Sequence, residues 1–105
     1  MTKRYTPQKR RDEILKIAVD LAVIYGLQSL TRDQIAENAR VTGALITHYF
    51  YSMPLFRREI MQYAITNRIL PVVAQGLLVR NSLVMAAPVE LRKEAIQHMA
   101  SVGGR

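Results

Sequence analysis

An all-α fold is predicted by three features of the chain. Apolar residues recur at intervals of three and four, cap-forming side chains stand at the head of those stretches, and no run alternates with the period of two that marks a strand. Thr6-Pro7 reads as a cap with proline in the first turn, followed by Ile14, Leu15, Ala18, Leu21, Ala22 and Tyr25 on one face of a first helix. Gly26 ends that helix, because glycine enters the positive-φ region at a helix C-terminus without steric penalty. Thr31 and Gln34 have the spacing of a capping box for a short second helix that turns Ile35, Ala36 and Ala39 inward. Arg40-Val41-Thr42 interrupts it, and Thr42 caps a third helix from about Gly43 to Tyr49, with Ile46 and Phe50 inside. Ser52 opens a fourth, where Pro54 is tolerated because the first turn has no intrahelical N–H bonds to lose. Its expected inner face is Leu55, Phe56, Ile60, Tyr63 and Ala64. Pro71 must kink or end that helix. An apolar run from Val72 to Val79 then leads to a polar break at Arg80-Asn81-Ser82, and Pro88 starts a last helix ending near Ala100.

The 105 residues suit one small domain, and with half of them apolar and 22% charged the composition is that of a folding chain. There is no cysteine, which excludes disulfide scaffolds, thiolate zinc sites, iron–sulfur clusters and cysteine nucleophiles, and which suits a reducing compartment. The polar, basic start has no apolar stretch behind it, so no secretory signal and a cytoplasmic location are expected.

Fifteen Lys and Arg stand against eight Asp and Glu, for a formal charge of +7 and a pI near 10.3. Lys3, Arg4, Lys9, Arg10 and Arg11 concentrate that excess at one end. Residues 1–10 therefore read as a basic arm that tracks phosphates by counterion release, with a solubilising tail as the bland alternative. Ile69 to Val89 carries a single charge, Arg80, but Pro71, Gln75, Gly76, Asn81, Ser82 and Pro88 divide it into pieces too short to cross a bilayer. Five short helices cannot hide so much Leu, Val and Met, so part of this run is expected against a second copy, with an unusually apolar intrachain core as the alternative.

Helix, tight turn and helix, with a longer helix and a basic segment in front, is the arrangement that presents a short helix to the major groove. From Arg11 to Phe56 the chain resembles the DNA-binding domain of the tetracycline-repressor (TetR) family of bacterial regulators. The matching features are Ile14-Leu15 and Ala18, the Gly26 break, Leu30-Thr31, Ile35-Ala36, Val41-Thr42, Ile46, Tyr49 and Phe50, then Ser52 and Phe56. The match covers just under half the chain without gaps.

The resemblance implies a three-helix helix-turn-helix domain of TetR type at 11–56, followed by two or three short helices at 57–105 that offer a dimer surface. It implies binding of operator DNA as a dimer, usually as a repressor, in a bacterial setting; the small size suits a phage or plasmid regulator. Carried over by position, the family's DNA-facing residues fall on Thr31, Asp33, Gly43, Ala44, Leu45, Thr47, His48, Tyr49 and Met53. The family commonly has tyrosine where Thr47 stands, lysine where Met53 stands and glycine where Arg40 stands. Phosphate contacts are therefore expected to shift to Arg32, Arg40, His48, Tyr51 and the Lys9-Arg10-Arg11 cluster, and Thr42 at the turn is counted among the DNA-binding residues. Family members also carry a longer helical domain that binds an inducer; about fifty residues remain here, too few to enclose a ligand cavity and close a core, so no small-molecule inducer is expected.

Read from the side chains alone, Gly43 and Ala44 permit close approach to a groove floor. Leu45 offers either a methyl surface for thymine or an ordinary core contact, and Thr47 and His48 supply donors for a phosphate or a base edge. His48 as a metal ligand lacks partners, His98 being the only other histidine, so neither metal nor cofactor is expected. Tyr5, Tyr49, Tyr51 and Tyr63 are a weak case for a single-strand platform. The acids are scattered, and no nucleophile–base grouping or Gly-rich phosphate loop occurs, so an enzyme is not expected. The alternative function is a protein-interaction module or antirepressor that keeps the helix-turn-helix fold and uses the Leu45 and Met53 surface on another protein.

Overall fold

Each of the first four helices begins where a hydroxyl is supplied to its free N–H groups. The computed structural model describes residues 6–103, all-helical with no strand over that span. Helix α1 (Pro7–Tyr25) is capped by Thr6, whose Oγ1 accepts from the Lys9 N–H at 3.1 Å. The basic segment expected as an arm at 1–10 is thus helical from Pro7 onward, because the Thr6 cap nucleates the helix there; Lys3, Arg4 and Tyr5 lie outside the described residues. Gly26 closes α1 at φ 91°, and a 3-10 turn (Leu27–Ser29) leads to helix α2 (Arg32–Ala39), capped by Thr31. Three residues separate α2 from helix α3 (Gly43–Phe50), capped by Thr42, and Ser52 caps helix α4 (Met53–Thr66).

Pro71 neither kinks nor breaks α4, which ends at Thr66; it sits in the first turn of helix α5 (Leu70–Leu78), where its missing N–H has no partner to lose. The short helix α6 (Ser82–Met85) follows, capped by Asn81, and helix α7 (Val89–Gly103) runs three residues beyond the expected end at Ala100. Among the described residues no helix is long and apolar enough to cross a membrane.

The core is one cluster running from α1 to α7. Ile14, Ala18 and Ala22 of α1 meet Ile35 of α2, Ile46 and Phe50 of α3 and Phe56 and Ile60 of α4, while Val72 and Val73 of α5 carry it on to Leu91 and Ala95 of α7. The Phe50 and Phe56 rings stack, 3.9 Å between centroids and 7° from parallel. Two expected inner positions, Leu55 and Tyr25, are corrected. Leu55 is exposed because the buried row of α4 is Phe56, Ile60 and Ala64 with Met61 beside it, which rotates the inner face away from Leu55; Tyr63 is half-buried at its edge. Tyr25 lies in the last turn of α1, where the core no longer covers it.

A side chain adds a polar tie where α5 packs on the end of α1. Gln75 of α5 accepts from the Leu27 N–H through Oε1 at 2.7 Å and donates through Nε2 to the Ala22 carbonyl at 3.0 Å, so its amide pairs the N–H left open after the Gly26 break and adds a second donor to a carbonyl that already accepts from the Gly26 N–H at 2.9 Å. Gln75→Leu leaves the Leu27 N–H unpaired and takes one of two donors from the Ala22 carbonyl, and should lower stability by about 2 kcal/mol, read as a lower urea midpoint with an unchanged slope. A variant as stable as the parent would mean that water replaces the amide at no loss.

The molecule is elongated, 47 by 27 by 22 Å, with a radius of gyration of 14.7 Å against about 13 Å for a compact domain of this length. That shape leaves apolar side chains outside. Within the run expected to meet a second copy, Val72, Val73, Ala74, Val84 and Ala87 are buried, whereas Leu78, Val79, Met85 and Val89 are exposed.

Candidate nucleic-acid interface

Helix α3 has two sides. Ile46 and Phe50, four apart, are buried, with Leu45 and Tyr49 half-buried against the core on their flank. Ala44, Thr47 and His48, at the i, i+3, i+4 spacing of a single face, are exposed. Leu45 therefore gives much of its surface to the core, and Met53, half-buried on the same cluster, does likewise. The methyl surface expected of Leu45, and the surface expected of Leu45 together with Met53, are smaller than the sequence positions imply, because both side chains pack against the core.

Arg32 ties α2 to that outer face. Its terminal nitrogen donates to Thr47 Oγ1 at 3.0 Å, and Thr47 donates in turn to the Gly43 carbonyl at 3.3 Å. The guanidinium crosses the bare face of Gly43: a Cβ there would lie 3.2 Å from Arg32 Nε. Arg32, Thr47, Tyr51 and Met53 share a small groove of about 170 Å³ at the end of α3. Thr31 and Thr42 are occupied as caps, accepting from the Gln34 and Leu45 N–H groups, each at 3.1 Å, while their side chains stay at the surface. Asp33 lies exposed in the first turn of α2, and His48 meets the edge of Tyr49 at 5.1 Å.

On the other side of the three-residue turn, Arg10 of α1 and Arg40 line one groove of about 150 Å³ with Glu13. Both arginines are exposed, as is Lys9. Arg40 is the C-cap of α2 in the left-handed region, φ 58° and ψ 45°, a conformation that disfavours any residue with a Cβ by about 1 kcal/mol. Arg40→Gly should therefore raise thermal stability by about that amount, and a drop in stability on calorimetry would show that the Arg40 side chain holds the turn.

Arg11 is placed elsewhere. Its guanidinium makes a bidentate pair with Glu59 of α4, at 2.6 and 2.5 Å, and lies 4.5 Å from the centroid of Phe50. Hydrogen bonding to Glu59 holds Arg11 above its ordinary pKa, against partial burial. Of the basic cluster expected to face phosphates, Arg11 is thus engaged within the protein, bracing α1 against α3 and α4.

One feature at this end had no signal in the sequence. Tyr51 has φ 70° and ψ −64°, and the Ser52 N–H donates to the Phe50 carbonyl at 2.8 Å, which makes Tyr51 the centre of the strained, positive-φ γ-turn. Nothing in a Phe-Tyr-Ser sequence announces this; the turn lies between Phe50 and Phe56, whose rings stack on each other. It leaves the phenol 73% exposed just past α3. Strain at a surface residue with an outward side chain is a pointer to use.

No protein-family model matches the chain, and no curated protein or solved structure does either. What fold and surface define by themselves is an all-helical protein with one short helix exposed along a polar face and arginines on both sides of it.

Proposed function

We propose that the protein is a sequence-specific double-stranded DNA-binding transcriptional regulator of the TetR-like helix-turn-helix kind, a repressor acting as a homodimer on an inverted-repeat operator without a small-molecule inducer. The carrying observation is the outer face of α3: Ala44, Thr47 and His48 exposed and small enough for a groove, on a helix anchored from behind by Ile46 and Phe50. Arg32 with Tyr51 in one groove, and Arg10 with Arg40 in another, support the reading as exposed groups that could take the phosphates of a duplex seated on that face. The exposed Leu78, Val79, Met85 and Val89 support a second copy on the extension.

The same Arg40→Gly change that relieves backbone strain removes a cation from the duplex face, so duplex affinity falls for all sequences alike while stability rises. Selection of bound duplexes from a random pool, followed by footprinting, tests the whole reading. The expected product is an inverted repeat with half-sites about 10 base pairs apart, or a multiple of that. If no duplex is enriched, the protein-interaction module takes its place.

A further inference from the structure

We infer that the cleft beside the first turns of α4 is a phosphate-binding site, distinct from the face of α3. Arg57, Arg58, Gln28, Asn81 and Ser82 line a polar opening of about 210 Å³ together with three apolar residues and no carboxylate. Two guanidinium charges thus meet in a hollow with no acid to balance them. Among the described residues neither arginine has an ion pair: Arg57 donates one terminal N–H to the Leu30 carbonyl at 3.1 Å, and Arg58 has no hydrogen bond at all. Arg57 Nε is fully buried without a partner, the one side-chain nitrogen or oxygen of the described residues in that position.

The remaining polar groups also offer protons. Asn81 Oδ1 is occupied by the Leu83 and Val84 N–H groups, at 2.9 and 3.3 Å, which turns its NH₂ to the role of donor; Gln28 and Ser82 add an amide and a hydroxyl. A concavity of donors with a net double positive charge is completed by an oxyanion with several acceptor oxygens. Phosphate, with its tetrahedral oxygens and match to the arginine fork, is the chemical class that fits.

The phosphate can come from two sources. Leu30, held by Arg57, directly precedes the Thr31 cap, and Pro54 in the lining directly follows Met53, so the cleft adjoins the surface proposed to meet DNA and a backbone phosphate can reach it. Free phosphate or a phosphate monoester is the other source. The site itself does not depend on the DNA-binding reading.

The test is a titration of the full chain with inorganic phosphate at fixed ionic strength, followed by nuclear magnetic resonance of the Arg57 Nε–H and the Gln28 and Asn81 side-chain amides. Saturable shifts confined to the cleft are expected, which chloride at equal ionic strength does not reproduce. Arg58→Gln should weaken binding about tenfold, and Gln28→Ala, at an exposed position outside the core, should weaken it by a smaller factor. Shifts that track ionic strength alone, or saturable shifts unaffected by both variants, overturn the site. A duplex separates the sources. If the phosphate belongs to DNA, Arg58→Gln reduces the slope of log affinity against log salt by about 0.9 per protomer and free phosphate competes with duplex. If it is a free ligand, the slope is unchanged and both bind together. Phosphate binding in a chain that binds no duplex would remove the functional reading and leave this site standing.

Discussion

Between 50 and 200 mM salt, affinity for the preferred duplex should fall by about three to five powers of ten, the decrease expected when some six to ten phosphates are bound by a dimer. The arginines of the first helix divide in this experiment. Arg10→Ala removes an exposed cation from the groove it shares with Arg40, so the slope should become shallower by about 0.9 for each phosphate left without its cation. Arg11→Gln should leave the slope unchanged, because the Arg11 charge is already neutralised by Glu59. Its effect is instead a parallel offset of roughly tenfold, about 1.4 kcal/mol, since the pair with Glu59 and the contact with Phe50 brace α3 from behind. Glu59→Gln gives a sign test. Removing a negative charge from a protein that binds a polyanion should by long-range electrostatics tighten binding; loosening the brace should weaken it. We expect weaker binding. A steeper slope and tighter binding in Glu59→Gln, or a slope decrease in Arg11→Gln equal to that in Arg10→Ala, would mean that Arg11 contacts phosphate after all.

That division shows where sequence reading stops. Thr6, Thr31, Thr42 and Ser52 were all legible as caps, and all four accept the expected backbone N–H, because a cap depends on a residue and its neighbours three positions on. The three-residue turn and the inward pair Ile46 and Phe50 were legible for the same reason of short range. Arg11 with Glu59, and Gln75 with Leu27, each span 48 residues, and no local pattern distinguishes these side chains from solvated ones. The exposed Leu55 and the half-buried Leu45 and Met53 mark a second limit. Periodicity gives an apolar stripe about one residue wider than the contact, and the packing partner decides which edge is covered. Tyr51 marks a third, since its γ-turn lies between two residues whose rings meet only in the folded chain.

Gly76→Val should be the most destabilising change in the chain at a position that sequence statistics would call improvable. A glycine inside a helix is disfavoured by about 1 kcal/mol against alanine, so propensity alone predicts that Gly76→Ala stabilises α5. The packing predicts the opposite. A Cβ at Gly76 would lie 2.4 Å from Val84 Cγ2 and 2.9 Å from Met61 Cε. Met61 can swing its terminal methyl aside, but Val84 is fully buried on the short α6 and its branched side chain has few rotamers open to it. Overpacking of this kind costs about 1–3 kcal/mol, which exceeds the propensity gain, so Gly76→Ala should destabilise. Gly76→Val, with two further methyl groups and β-branching, should lose about 3 kcal/mol or more, a fall in melting temperature of roughly 10–20 °C for a domain of this size. Val84→Ala separates space from propensity. Alone it leaves a cavity and destabilises; combined with Gly76→Ala the new methyl occupies the vacated volume, and the double variant should be more stable than the sum of the singles by about 1 kcal/mol or more. Additive losses, or a Gly76→Ala variant that melts above the parent, would show that α6 moves aside freely and that glycine is not what lets α5 and α6 approach.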